Sequence, residues 1–463
     1  MSRSAAIEQA QAYLDDGRFE ADLARLVAIP TESQVPEGLP HCARYLDEAM
    51  VPAFAAMGFE TRIFPNPVEG CGPVLLATRM EDPNLPTILG YGHGDVIRGL
   101  EGSWTEGEGP WRLARVGERL YGRGTADNKA QHWMNMVALR TVLEAQGTLG
   151  FNAKFLIETG EEAGSRGLRQ IIEAEREAFA ADVMIASDGP RVRADRPTMS
   201  LGARGAVNFD LVCDLRPGGH HSGNWGGALA DPAVILACAL AAIVDRNGKI
   251  LVPEWRPAAL TPETRELLRD VVLEAGSDGP TPDPDWGEPG LSPAENIYAW
   301  NAFVVLAMTA GLPEKPVNAV APSARTHCQL RYIAGTEEAE ILPALRRHLD
   351  AAGFGMVEVS APPGSNAGGF AASRTESDDP WARFVAAALT RAAGEAPAII
   401  PQTGGSICND LFTDVLGIPA IWIPHSYAGC SQHAPNEHIL LPVCREALGL
   451  MTALYWEIGE GAP

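Results

Sequence analysis

Residues 86–95 read PTILGYGHGD, a short apolar run that ends in a histidine and an aspartate. The arrangement recurs in FNAKFLIETGEE (residues 151–162) and DVMIASDG (residues 182–189), where apolar runs again lead into acidic side chains. Runs of this length and composition are typical of buried strands. Because helical patterns such as residues 130–146 alternate with these runs, the sequence predicts an α/β fold with a mostly parallel sheet and helices on both faces.

The pattern changes after about residue 200 and returns before residue 380. Between these points the sequence predicts strands over residues 203–215 and 325–333, where apolar residues alternate, and helices over residues 231–245 and 337–350. We therefore expect one domain formed by residues 1–199 and 374–463, with residues 200–373 inserted as an α+β domain.

The composition and charge of the chain indicate a globular protein and argue against several classes of partner and location. The chain has 463 residues, of which 46% are hydrophobic and 21% charged, and a formal net charge of −23. A field of that sign repels phosphate, which argues against nucleic acid and anionic membranes as partners. Residues 1–20 have no apolar run like that of a signal peptide, and no run is long enough to span a membrane. The eight cysteines are scattered without a C-x-x-C pair, so we expect a reducing cytoplasm.

Acidic residues and a histidine collect where the predicted strands end. His93 and Asp95 follow the first strand, Glu161 and Glu162 follow the second, and Asp188 follows the third. Sites in open parallel sheets form outside the carboxyl ends of the strands. The sequence therefore predicts that these five side chains meet at one edge of the sheet.

Two further segments supply candidate ligands. Asp127 lies in a glycine-rich loop directly before the helix predicted over residues 130–146. His425, His433 and His438 follow a short apolar run near the C-terminus, and the residues alone do not rank these three histidines. Imidazole nitrogen and carboxylate oxygen are ligands that zinc takes in catalytic sites. A pair of ions about 3.5–4 Å apart needs a bridging ligand, which an aspartate can be.

Seven segments carry these residues and stand in a fixed order. They are YGHGDV (91–96), YGRGTADNK (121–129), ETGEEAGS (158–165), SDG (187–189), HSG (221–223), GGSI (404–407) and HAPNE (433–437). In this order they resemble the metallopeptidase family that includes carnosinase, cytosolic dipeptidases, acetylornithine deacetylase and succinyl-diaminopimelate desuccinylase. The similarity covers nearly the whole chain, and the Asp-Asn-Lys form is most similar to the carnosinase-type branch.

The resemblance implies a set of metal ligands. His93 and Asp188 would hold one divalent cation, Glu162 and His433 would hold the other, and Asp127 would bridge both. The cations would be Zn²⁺, with Mn²⁺ or Co²⁺ as alternatives. The resemblance also implies that the peptide bond after Asp127 is cis.

The resemblance further implies catalytic roles. Glu161 would be the general base and later the general acid, and Asp95 would hydrogen-bond the ring of His93. His221 of the partner subunit would polarise the scissile carbonyl, although the residues leave open whether His220 or His221 acts.

A substrate site is implied as well. Arg331 would hold the substrate carboxylate together with the loop of Gly404, Gly405 and Ser406, since the forked donors of arginine suit a carboxylate. Cys408 stands where the family commonly has proline, which leaves the substrate preference open.

The resemblance implies a metal-dependent hydrolase that cleaves an amide bond in a small peptide, as a dipeptidase or carboxypeptidase. Two alternatives remain: a deacylase of N-acyl amino acids, and a non-catalytic relative that binds peptides. A non-catalytic relative usually lacks a metal ligand or the general base, and this sequence has all of them. By resemblance, residues 200–373 would form a lid and join two copies as a homodimer, through residues 203–215 and the helix over 231–245.

Overall fold

The computed structural model of the protein describes residues 1–273, 280–361 and 370–463. Its strands are β1 Glu60–Phe64, β2 Val74–Arg79, β3 Thr87–His93, β4 Ala114–Val116, β5 Arg119–Tyr121, β6 Asn152–Glu158, β7 Val183–Ala186, β8 Pro190–Arg191, β9 Thr198–Ser200, β10 Gly202–Ala203, β11 Gly205–Asp214, β12 His220–His221, β13 Ala302–Ala310, β14 Ala319–Val320, β15 Ser323–Tyr332, β16 Glu358–Ser360, β17 Ser373–Arg374, β18 Ala398–Ile400, β19 Ala420–Trp422, β20 Ser426–Tyr427 and β21 His438–Leu440.

The α-helices lie before, between and after these strands. They are α1 Arg3–Asp15, α2 Arg18–Val27, α3 Leu39–Arg44, α4 Val51–Ala56, α5 Lys129–Gln146, α6 Leu168–Ala174, α7 Arg176–Phe179, α8 Ser222–Trp225, α9 Pro232–Ile243, α10 Pro262–Leu268, α11 Pro293–Tyr298, α12 Glu338–Ala351, α13 Pro380–Ala393 and α14 Leu441–Gly461. In the described part of the chain, no helix has both the length and the apolar character that a membrane crossing requires.

The larger sheet has eight strands in the order β1-β2-β6-β3-β7-β19-β9-β18. Its central strands run parallel, because β6 pairs with β3, β3 with β7, and β7 with β19 in that sense. Successive side chains of a strand enter different cores: Leu75 packs with the cluster that includes α5 and α14, whereas Leu76 packs with the cluster that includes α6. Helices therefore cover both faces, which confirms the predicted α/β fold.

The smaller sheet has the order β13-β15-β11-β16 and is antiparallel throughout. Apolar side chains on one face, such as Phe209 and Leu330, pack in a core with Leu236 of α9 and Leu345 of α12. The opposite face carries the polar partners of the alternation, including Gln329 and Arg331 of β15.

The chain leaves the larger sheet after β9, builds the smaller sheet, and returns to the larger sheet with β18 and β19. Helix α14 then packs against α5 and α1. We retain residues 1–199 with 374–463, and residues 200–373, as the proposed division of the chain.

Candidate active site

Three neighbouring parallel strands bring acidic side chains and a histidine to one edge of the larger sheet. His93 is the last residue of β3, and Asp188 comes two residues after β7. Glu161 and Glu162 begin a short helical turn shortly after β6. The strand order β6-β3-β7 places these three strand ends side by side, as the sequence predicted.

Asp127 and His433 approach this edge from two loops. Asp127 precedes α5, and the peptide bond between Asp127 and Asn128 is cis, which confirms that expectation. His433 has a φ of +56°, a conformation that residues other than glycine seldom adopt. Such backbone conformations cluster at functional sites, where the surroundings hold them in place.

The side chains form two groups that share Asp127. Ligand atoms of His93, Asp127 and Asp188 lie within 4.8 Å of one another, and so do those of Asp127, Glu162 and His433. Oδ1 of Asp127 is 2.9 Å from Nε2 of His93, and Oδ2 is 3.1 Å from Nε2 of His433. Each oxygen of Asp127 therefore faces a different group, as a bridging carboxylate requires.

The other two ligands, Asp188 and Glu162, lie near the two histidines. Nε2 of His93 is 3.5 Å from Oδ2 of Asp188, and Nε2 of His433 is 3.1 Å from Oε2 of Glu162. Glu161 belongs to neither group among the described residues.

The electrostatics of the site suit divalent cations. Hydrogen bonds to Asp127 and Glu162 raise the pKa of His433 to about 11. Burial raises the pKa of Glu162 to about 7 and that of Asp188 to about 6, with the charge of Asp127 adding to both shifts. Burial also raises the pKa of Glu161. Bound cations would favour the ionised form of these acids, and the nitrogen and oxygen donors are those that zinc takes.

Asp95 acts mainly on the turn that carries the two glutamates. Its carboxylate accepts hydrogen bonds from the backbone N–H of Glu161, at 3.2 Å, and of Glu162, at 3.0 Å. Nδ1 of His93 is 3.1 Å from the backbone oxygen of Asp95 but 3.5 Å from its carboxylate. The side chain of Asp95 was expected to contact the ring of His93, but the backbone oxygen of Asp95 lies closer to that ring than its carboxylate does. Nε2 of His93 faces Asp127.

Glu437 is a buried residue whose role the sequence did not predict. Its Oε1 accepts hydrogen bonds from the backbone N–H of Gly124, Ala126 and Asp127, at 3.0, 2.8 and 3.1 Å. Its Oε2 accepts a hydrogen bond from Arg123 at 2.7 Å. These hydrogen bonds join the loop of His433, in which Glu437 is the last residue of the HAPNE segment, to the loop of Asp127. The position of Glu437 in that segment was the sequence signal that could have indicated its role.

The other two candidate histidines lie outside both groups. His438 is 2.8 Å from the hydroxyl of Tyr427, a contact that occupies its Nε2. His425 is buried, and neither of its ring nitrogens has a hydrogen-bond partner in the described part of the chain. The geometry therefore brings His433, and neither of the others, to Asp127.

The predicted substrate residues come together from the two sheets. Nη1 of Arg331, on β15, donates a hydrogen bond of 3.1 Å to Oγ of Ser406. Gly404 lies in the same loop and accepts hydrogen bonds from Arg204. Gly405 is exposed, and an added Cβ there would meet no atom within 4 Å, so its backbone is open to a ligand.

His221 and Cys408 have different surroundings. His221 is exposed on β12, where its Nδ1 accepts a hydrogen bond from the backbone of Gly223, and no contact joins it to the five candidate metal ligands within the described ranges.

Cys408 is buried with its Sγ 3.7 Å from Oε1 of Glu158, and burial raises its thiol pKa. The thiol is therefore a poor nucleophile.

Comparison with known proteins relates most of the chain to one group of enzymes. The model of peptidase family M20/M25/M40 matches residues 89–457. Beta-Ala-His dipeptidase of Rattus norvegicus is 34% identical over 209 residues, which are 44% of this chain and only 42% of that protein. Cysteinylglycine-S-conjugate dipeptidase of Corynebacterium striatum is 32% identical over 331 residues, which are 70% of each protein.

A solved structure extends the likeness to the fold. The structure of human carnosine dipeptidase 1 superimposes with a TM-score of 0.76 and 24% identity, over 98% of this chain and 100% of that chain. This likeness establishes the arrangement of helices and strands.

Proposed function

Since the chain belongs to peptidase family M20/M25/M40, we propose that it is a metal-dependent dipeptidase with two divalent cations. The observation that carries the proposal is the shared carboxylate: the two oxygens of Asp127 face His93 and His433 separately. The names of the two relatives, both dipeptidases, support a dipeptide as the substrate.

Five residues are the proposed metal ligands. His93 with Asp188 would hold one cation, His433 with Glu162 would hold the other, and Asp127 would serve both pairs. Bound cations of this kind activate a water molecule and polarise the scissile carbonyl.

Glu161 takes the proton of the attacking water and then gives it to the departing amine nitrogen. Asp95 fixes Glu161 for this task, because its carboxylate accepts the backbone N–H of that residue. Arg331 and Ser406 hold the free carboxylate of the peptide, and this contact sets the distance from the peptide's C-terminus to the water.

Zinc is the proposed metal, because two imidazoles and three carboxylates match its preferred donors. The test is metal analysis of the active protein, followed by removal and return of Zn²⁺, Mn²⁺ or Co²⁺. Hydrolysis of a dipeptide panel should exceed hydrolysis of N-acyl amino acids bearing the same C-terminal residue. The opposite preference would favour the deacylase, and turnover of neither set would refute a hydrolytic function.

We also propose that two copies pair through the smaller sheet. Pairing was expected through residues 203–215 and the helix over 231–245; β11 pairs with β15 along its whole length and with β16 over residues 210–212, so it has no fully free edge. Strand β13 is at the edge and exposes Val304, Val305 and Leu306, while the outer face of α9 exposes Val234. An exposed apolar edge strand favours pairing with another chain.

In such a homodimer, His221 of the partner subunit would polarise the carbonyl. All eight cysteines of the chain are free, which supports the cytoplasm as the proposed location.

A further inference from the structure

Arg204 lies where the chain passes from the larger sheet to the smaller one, between β10 and β11. Two hydrogen bonds join the loop that contains Gly404 to this crossing. The N–H of Thr403 donates to the oxygen of Gly202 at 2.8 Å, and the side chain of Gln402 donates to the oxygen of Ala203 at 2.8 Å. The candidate substrate loop is therefore anchored beside Arg204.

The guanidinium of Arg204 forms hydrogen bonds to this loop. Nε and Nη2 both donate to the backbone oxygen of Gly404, at 3.0 and 2.7 Å. The third nitrogen, Nη1, is buried and has no hydrogen-bond partner in the described part of the chain. An added Cβ on Gly404 would lie 3.0 Å from Ile297 and 3.7 Å from Nη2 of Arg204, so glycine lets the loop sit closely against both residues.

The charge of this region is uncompensated. Arg204 is only 6% exposed, and after burial itself, the positive charge of Arg331 is the main cause that lowers its pKa, to about 10. Among the described residues, the buried arginines Arg123 and Arg191 each have a carboxylate partner: Arg123 pairs with Glu437, and Arg191 pairs with Glu446. Within the described ranges no Asp or Glu forms an ion pair with Arg204 or Arg331.

Burying the guanidinium of Arg204 beside the half-buried one of Arg331, with no acid paired to either among the described residues, is costly, because a buried charge needs a partner of opposite sign. A carboxylate brought by a ligand would supply the missing negative charge. The exposed backbone of Gly405 and the hydroxyl of Ser406 mark where such a group can enter.

We propose that Arg204 is a positioning residue for the free C-terminal carboxylate of the substrate. It holds the Gly404 carbonyl so that Gly405 and Ser406 present their polar groups beside Arg331, and its charge adds to that of Arg331. The inference rests on the proposed peptidase function and adds to it a buried residue behind the substrate loop, on which the preference for a free carboxylate over a C-terminal amide depends.

The experiment compares one dipeptide with its C-terminal amide on the wild-type protein and on the variants Arg204→Met and Arg204→Lys. Arg204→Met should lower kcat/KM for the free peptide at least tenfold, mainly through a higher KM, and change that for the amide less than threefold. Arg204→Lys keeps the charge but not the fork, so it should restore part of the preference. Arg79→Met is the matched control, since Arg79 also donates to a backbone oxygen but lies on β2.

Calorimetric binding of the same two peptides to the protein separates this inference from the proposed function. A protein that turns over neither peptide, yet binds the free peptide more tightly and loses that preference in Arg204→Met, would refute the peptidase function and support the role of Arg204. An equal loss for both peptides would show a merely structural role. An unchanged preference in Arg204→Met, or a wild type that binds both peptides equally, would overturn the proposal.

Discussion

Replacing Glu437 tests whether the two loops of the site depend on one buried carboxylate. Glu437 and Arg123 are each only 1% exposed in their side chains, and they are joined by a hydrogen bond of 2.7 Å. Removing one partner of a buried ion pair costs about 3–5 kcal/mol, because the other charge is left alone. Glu437→Gln keeps the shape and one acceptor oxygen, so we expect a loss of about 3 kcal/mol in the free energy of unfolding.

Glu437→Ala should cost more. It also leaves the backbone N–H groups of Gly124, Ala126 and Asp127 without their acceptor, and each such group adds about 1–3 kcal/mol. Arg123→Met should cost less than Glu437→Ala, since Glu437 would still accept those three N–H groups.

The assay is thermal unfolding of the metal-free protein, followed by circular dichroism, so that the result does not depend on activity. With an unfolding entropy of about 2.1 cal/mol/K per residue, a loss of 3 kcal/mol lowers Tm by about 5 °C if residues 1–199 and 374–463 unfold as one unit, and by about 3 °C if the whole chain unfolds together. The exposed pair of Arg193 and Asp195 provides the control, because Asp195→Asn should change stability by less than about 1 kcal/mol. A Tm for Glu437→Gln within 2 °C of wild type would refute the reasoning.

Four further results are expected. Glu161→Gln should bind metal as the wild type does and lower kcat by roughly 10²–10⁴-fold, because the amide accepts no proton; near-normal turnover would remove Glu161 from this role. Asp127→Asn should lower the bound metal below that of wild type in elemental analysis, and full occupancy would contradict a bridging ligand. Leu306→Lys on β13 should convert the dimer to monomers in light scattering, whereas an unchanged mass would place the interface elsewhere. Mixing inactive His221→Ala and Glu161→Gln proteins should restore roughly a quarter of wild-type activity if random dimers form and His221 acts on the partner's site; no recovery would argue that it acts within its own chain.

The strands that carry the site were predictable, but several others, β9 and β13 among them, were not. Residues 87–93, 152–158 and 183–186 form long enough apolar runs between turn residues to identify them as buried strands. Strand β9 has three residues, too few to show a period, and β13 is apolar on both faces, so its sequence does not alternate. Periodicity identifies a strand only when one face differs from the other.

The sequence by itself determined the α/β fold, the types of ligand and the sheet edge on which His93, Glu162 and Asp188 lie, because each lies at the end of its own strand or within four residues after it. Without the resemblance, the residues did not rank His425, His433 and His438; the tertiary structure separates them, because only His433 of the three lies against Asp127 among the described residues. The tertiary structure also decided the partners of Glu437 and Arg204, which lie some 310 and 200 positions away along the chain. Contacts of this kind depend on how distant loops pack, and no local pattern encodes that packing.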